Sequence, residues 1–150
     1  MKGSAQSILH SSLMVFYNAH RSYFFQMYRI CKKQNPISLR ILDWLCTNYA
    51  KSQSAIITTD DSSVHLYHKY KNHLKGFGKK FFDPFCRKQT MDICAHNVTF
   101  TTTLGQLNFF KWAFENNVIG FAIVHRNAIE SDMHERIGLA RSSQRRNNTQ

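Results

Sequence analysis

No acidic residue occurs before Asp43. The whole chain carries nine Asp and Glu against 20 Lys and Arg, a formal net charge of +11 with a pI near 9.8. So few carboxylates leave little material for acid–base chemistry. No two acids form an obvious pair within one motif, and Asp60-Asp61 stands between β-branched runs, where Asp serves a turn. The trio Asp83, His96 and Cys86 can converge, but so can many trios in a chain of 150 residues. A glycine-rich phosphate loop is also missing, because Gly76-x-Gly78 lacks the rest of the fingerprint. Enzyme chemistry is therefore poorly supported, and no cofactor is called for. The four cysteines (Cys31, Cys46, Cys86, Cys94) are irregularly spaced without a C-x-x-C. They read as reduced thiols of an intracellular protein, in nucleus or cytoplasm, acting as small buried hydrophobes. No apolar run is long enough to cross a bilayer.

What is present is a chain 43% hydrophobic and 13% aromatic. That is enough for a sizeable core in one domain, and too apolar for overall disorder. Its positive charge draws polyanions: nucleic acid first, an anionic membrane surface second, acidic proteins third. A surplus that only keeps the protein soluble is the plainer alternative.

Residues 1–33 form an amphipathic segment. Leu9, Leu13, Phe16, His20, Phe24, Met27 and Cys31 step by threes and fours, a helical stripe. The acid-free, Ser- and Arg-containing start has the character of an organellar transit segment. An N-terminal helix laying its aromatic stripe on the core is the reading preferred over it. Asn35-Pro36 then predicts a helix start, with Pro at the first helical position and the helix running to about Ala50. Its inward face is Ile37, Ile41, Trp44, Leu45 and Tyr49.

Ala55–Thr59 and Ser63–Tyr67 predict a hairpin. From Tyr67 the period becomes helical, with Tyr67, Tyr70, Leu74 and Phe77 on one face and His68, Lys71 and Lys75 on the other. Gly76 and Gly78 close that helix. Asp83-Pro84 marks a turn whose phenylalanines plug the core. Met91–Cys94 and Val98–Thr102 predict a second hairpin, turning at Ala95-His96-Asn97. Thr103 and Gln106 have capping-box spacing before a helix with Leu107, Phe110, Trp112, Ala113 and Phe114. A last helix spans Val118 to about Ile137, with Ala122, Ile129 and Met133 inward, and residues 138–150 read as a basic polar tail. The predicted fold is α+β: an amphipathic N-terminal arm or helix over 1–33, separable from a core over 34–137. In that core two β-hairpins, drawn as one antiparallel sheet, pack against several helices.

The densest signal is basic. Between His68 and Thr90 there are seven Lys or Arg against one acid, Asp83. His68, Lys69, Lys71, Lys75, Lys79, Lys80, Arg87 and Lys88 are the candidate nucleic-acid-binding residues, because neutralised phosphates release condensed counterions without any sequence code. Tyr67, Tyr70, Phe77 and Phe81 lie between them. The tyrosines occupy the apolar face, so backbone contact is better supported than base stacking. Metal binding has only sequence proximity behind it: Cys86, Cys94 and His96 lie close together, with His65, His68 and His73 one hairpin away, at no standard zinc spacing.

Two blocks, Phe82-Asp83-Pro84-Phe85-Cys86-Arg87 and Thr102 to Ala113 (TTLGQLNFFKWA), resemble uncharacterised proteins of large eukaryotic DNA viruses. The likeness covers Ile37 to Met133. It implies a virus-associated setting, the viral factory included, in which packaging, genome-handling or particle proteins belong, and transfers no residue role. The functional expectation is a non-enzymatic accessory protein that binds nucleic acid through phosphate contacts. The alternatives are a particle or interaction protein whose basic face meets an acidic partner, and an organellar protein with a cleaved N-terminus.

Overall fold

The computed structural model describes the backbone of residues 2–148, Asp60, Asp61 and Cys86 excepted. The chain runs α1 (Lys2–Ala19), α2 (Arg21–Cys31), α3 (Leu39–Trp44), a π-helical segment (Leu45–Tyr49), α4 (Ala50–Ser52), β1 (Ile56–Thr58), β2 (Ser63–His65), α5 (Leu66–Phe77), β3 (Met91–Ala95), β4 (Val98–Thr102), α6 (Leu104–Glu115), α7 (Val118–Val124) and α8 (Arg126–Asn148). This is an α+β fold.

The core is built around α6. Thr103 caps it, its hydroxyl accepting from the Gln106 backbone N–H at 3.1 Å. The other half of a capping box is diverted: the Gln106 side chain accepts from the Thr102 hydroxyl and donates to the Pro84 carbonyl. The cap thereby ties β4 and the Asp83-Pro84 turn to the helix. Eight of the 12 residues of α6 are apolar, counting Gly105, and Leu107, Phe109, Phe110, Trp112, Ala113 and Phe114 are all buried. Phe82 inserts beside them, its ring 5.4 Å from Trp112 and 5.5 Å from Phe109. Contacts of this kind add to the burial of the rings themselves.

The second hairpin forms where predicted, except that Ala95, expected in the turn, pairs with Val98 as the last residue of β3. A two-residue turn at His96-Asn97, both with positive φ, matches the twist that adjoining strands require. Ile93 and Ala95 alternate with exposed Asp92 and Cys94, and Ile93 faces Phe100 in the register. The first hairpin is shorter, three residues per strand, and its predicted turn at Asp60-Asp61 lies outside the described residues.

Several expectations need correction. Among the described residues the hairpins form two separate two-stranded sheets rather than one. Alternation specifies which face of a strand is buried, not which hairpin edges meet, and β2 runs directly into α5. The helix predicted from Pro36 begins one turn later. Ser38 is its cap, accepting from the Ile41 N–H at 3.1 Å, while Asn35 accepts from the Ile37 N–H and closes a local turn. The final helix is broken at His125 into α7 and α8, and the expected polar tail is helical as far as Asn148. Extending a helix already begun has no nucleation penalty, and Arg and Gln extend it well. Phe82 is fully buried, but Phe81 and Phe85 are only half-buried.

Residues 1–33 form two helices rather than one stripe, because His20 leaves the helical region at φ −126°, ψ 75°. Leu13, Phe16, Tyr17, Phe24, Met27 and Ile30 are buried in the same cluster as the α6 side chains. The Tyr17 hydroxyl donates to the Leu107 carbonyl at 2.6 Å, and His96 Nε2 lies 2.9 Å from the Tyr17 carbonyl. Tyr23 stacks on Phe114, centroids 4.5 Å apart. The aromatic stripe is thus shared core.

Candidate functional site

α5 positions the basic residues. Leu66 and Tyr70 are buried, and Tyr70 lies 5.8 Å from Phe82 and 6.0 Å from Trp112. Anchoring that face turns the opposite one outward. His68, Lys71 and Lys75 are exposed there, Lys69 is half-buried at the flank, and Phe77 is exposed at the end of the helix. Gly78, at φ 78°, ends α5 in a backbone conformation that a side chain resists, and its N–H bonds the Leu74 carbonyl.

Beyond Gly78 the remaining candidates form a second group. Lys79, Lys80, Arg87 and Lys88, all exposed, line a hollow of about 640 Å³ with Asp83, Phe85 and Gln89. Lys80 lies over the Phe81 ring, 5.4 Å from its centroid. The structure therefore gathers the eight candidates into an outer helix face and an adjoining loop hollow.

Two acids adjoin this region. Asp83 is used structurally, accepting from the Phe85 N–H at 2.9 Å while its own N–H bonds the Gly105 carbonyl. Burial raises the Asp43 carboxyl above its ordinary value; the charge of Asp83 adds to this and Lys79 opposes it. On α6 and α8, acids form the ion pairs Lys111–Glu115, Arg126–Glu130 and Arg136–Asp132. Asp132 also accepts from the Trp44 indole at 2.8 Å, so Trp44 is a half-buried strut between α3 and α8.

No group of three or more His, Cys, Asp or Glu converges as a metal site among the described residues. Cys86 lies outside them, Cys94 is exposed on β3, and His96 faces the Tyr17 carbonyl. Burial pushes the Cys31 thiol up to about 12 and raises Cys46 further, so both are protonated near neutrality.

Two cations were not among the sequence candidates. Lys33 and Arg40 line a hollow of about 610 Å³ that also includes Phe85 and Arg87. Nothing in the local pattern links them, since Lys33 follows the end of α2 and Arg40 lies in the first turn of α3. Tertiary packing alone brings them to Arg87.

The chain belongs to a family of unknown function (DUF7197), whose model matches residues 1–150. It is 35% identical to "Uncharacterized protein L507" of Acanthamoeba polyphaga mimivirus, over 80% of this chain and 50% of the relative. The chain thus spans about half the length of that relative. A relative in a large DNA virus agrees with the viral resemblance of the two sequence blocks. No solved structure matches the chain. No helix among the described residues is long and apolar enough to cross a membrane.

Proposed function

We propose that the protein is a non-enzymatic accessory protein that binds nucleic acid through phosphate contacts made by the α5 face and the loop hollow beside it. The observation that carries this reading is the division of α5. One face is locked into the core by Leu66 and Tyr70, and the other holds His68, Lys71 and Lys75 in solvent, continued by Lys79 and Lys80. Cations on a rigid helix face can meet successive phosphates of one backbone, and each neutralised phosphate releases counterions. Such contacts carry no base information, so binding is expected to be tolerant of sequence.

The transit-segment alternative is disfavoured, because cleavage near residue 33 would strip Tyr17, Phe24 and Met27 from the core. The acidic-partner alternative uses the same face and differs in its response to salt. Gel-shift and heparin-column series against ionic strength, with DNA and RNA, test the proposal. Retention and complex that fall steeply with salt support it. A saturable protein complex of fixed stoichiometry, with no salt-sensitive nucleic-acid binding, would replace it.

A further inference from the structure

The two hollows beside the basic loop share a wall. Phe85 and Arg87 line both the 640 Å³ hollow that holds Lys79, Lys80 and Lys88 and the 610 Å³ hollow that holds Lys33 and Arg40. The two hollows adjoin at these two residues; taken together as one trough, they carry cations along both arms and an aromatic residue at the junction. The second arm has no Asp or Glu among its described lining residues, and Thr90 and Thr101 are exposed on its side.

Each arm is in the size range of clefts that take a small ligand, roughly 300–1,000 Å³. A duplex lies across such openings, because its bases are stacked and paired inside it. A nucleotide of a single strand can enter, since its base is free to turn out and stack on an aromatic face. Phe85 suits that role. It is half-buried, so the fold holds it, and among the described residues no ring contact joins it to the array of Phe82, Phe109 and Trp112.

We infer that the trough is a binding channel for single-stranded nucleic acid, in which Phe85 stacks a base while Arg87, Lys33 and Arg40 hold the phosphates on one side and the Lys79 arm holds them on the other. The inference rests on the phosphate-binding reading above and narrows it. It adds Lys33 and Arg40 to the site, and it makes the loop trough rather than the α5 face the preferred track of the strand.

The full chain is titrated by fluorescence anisotropy with a labelled oligo-dT single strand and with an oligo-dA·oligo-dT duplex of the same length, at several salt concentrations. The single strand is expected to bind at least about tenfold more tightly than the duplex. The double variant K33E/R40E changes two exposed side chains. It is expected to weaken single-strand binding by about tenfold or more while moving duplex binding by no more than about twofold. F85A, with F85L as a variant that keeps apolar bulk, is expected to lose about fivefold or more in single-strand affinity without flattening the salt slope, because a stacking contact releases no counterions. Equal or tighter duplex binding, or parent-like single-strand binding by K33E/R40E, overturns the channel but leaves phosphate binding in place. If neither probe binds in a salt-sensitive way, phosphate binding fails and the channel with it.

Discussion

α5 and α6 are both 12 residues long, and their fates are opposite. α6 buries Gly105, Leu107 to Phe110 and Trp112 to Phe114, leaving Glu115 exposed in its last turn. α5 buries only Leu66 and Tyr70. One helix is surrounded by α1, Phe82 and α7, while the other lies over the core and keeps a charged side in water. Substitutions on α6 should therefore act through stability, and substitutions on the outer face of α5 through whatever binds there. The two can be separated by experiment.

Deleting residues 1–33 attacks the α6 side of the contrast most severely. It removes Tyr17, Phe24, Met27 and Ile30 from the buried cluster together with the bond to the Leu107 carbonyl. Loss of a cooperative thermal transition is expected. A truncated chain that still melts cooperatively would mean that α1 and α2 only cover a core able to form alone.

Next comes Trp112→Ala. The side chain is buried against Tyr70, Phe82 and Phe109. Deletion of a large core aromatic costs about 3–5 kcal/mol, which chemical denaturation would read directly. A midpoint close to the parent's would place Trp112 among surface residues and blur the distinction between the two helices.

A smaller effect is expected at His73, where the helices meet. Its ring lies 5.8 Å from Trp112 and 5.7 Å from Phe82. Burial lowers its pKa below the ordinary 6.5, with nearby charges and a backbone hydrogen bond contributing less. The unfolded chain therefore binds the proton more readily than the folded one. The stabilising contribution is present above pH 6.5 and is lost as the pH falls from there through the lowered folded value. His73→Phe should flatten the pH dependence of the melting temperature in that window. An unchanged profile would assign the dependence to other groups.

Much of this contrast was legible in the sequence. The spacing of Tyr67, Tyr70 and Leu74 against His68, Lys71 and Lys75 gave the two faces of α5, and Thr103 with Gln106 marked the start of α6. The second hairpin was legible because its alternation and its His96-Asn97 turn agree with each other. Information that depends on packing between distant segments was not legible. Asn35-Pro36 carries a local helix-start signal, yet the chain spends Asn35 on a turn and lets Ser38 cap. The helical periodicity runs unbroken through His20 and His125, so the breaks there were invisible. Lys33 and Arg40 join the candidate site only because the α2–α3 connection folds beside the loop that carries Arg87.

The most direct test of the account is a triple reversal on the outer side: Lys71, Lys75 and Lys79 to Glu, with melting temperature and nucleic-acid affinity measured together across a salt series. All three side chains are exposed, and exposed charges contribute little to stability. The melting temperature should stay near the parent's. Each lost phosphate contact removes roughly 0.9 from the slope of log K against log salt on duplex DNA, so the slope should flatten by roughly two to three units, with binding weakened alike for all sequences. Parent-like binding and slope in the folded triple variant would contradict the account, as would a parent protein that shows no salt-sensitive binding at all.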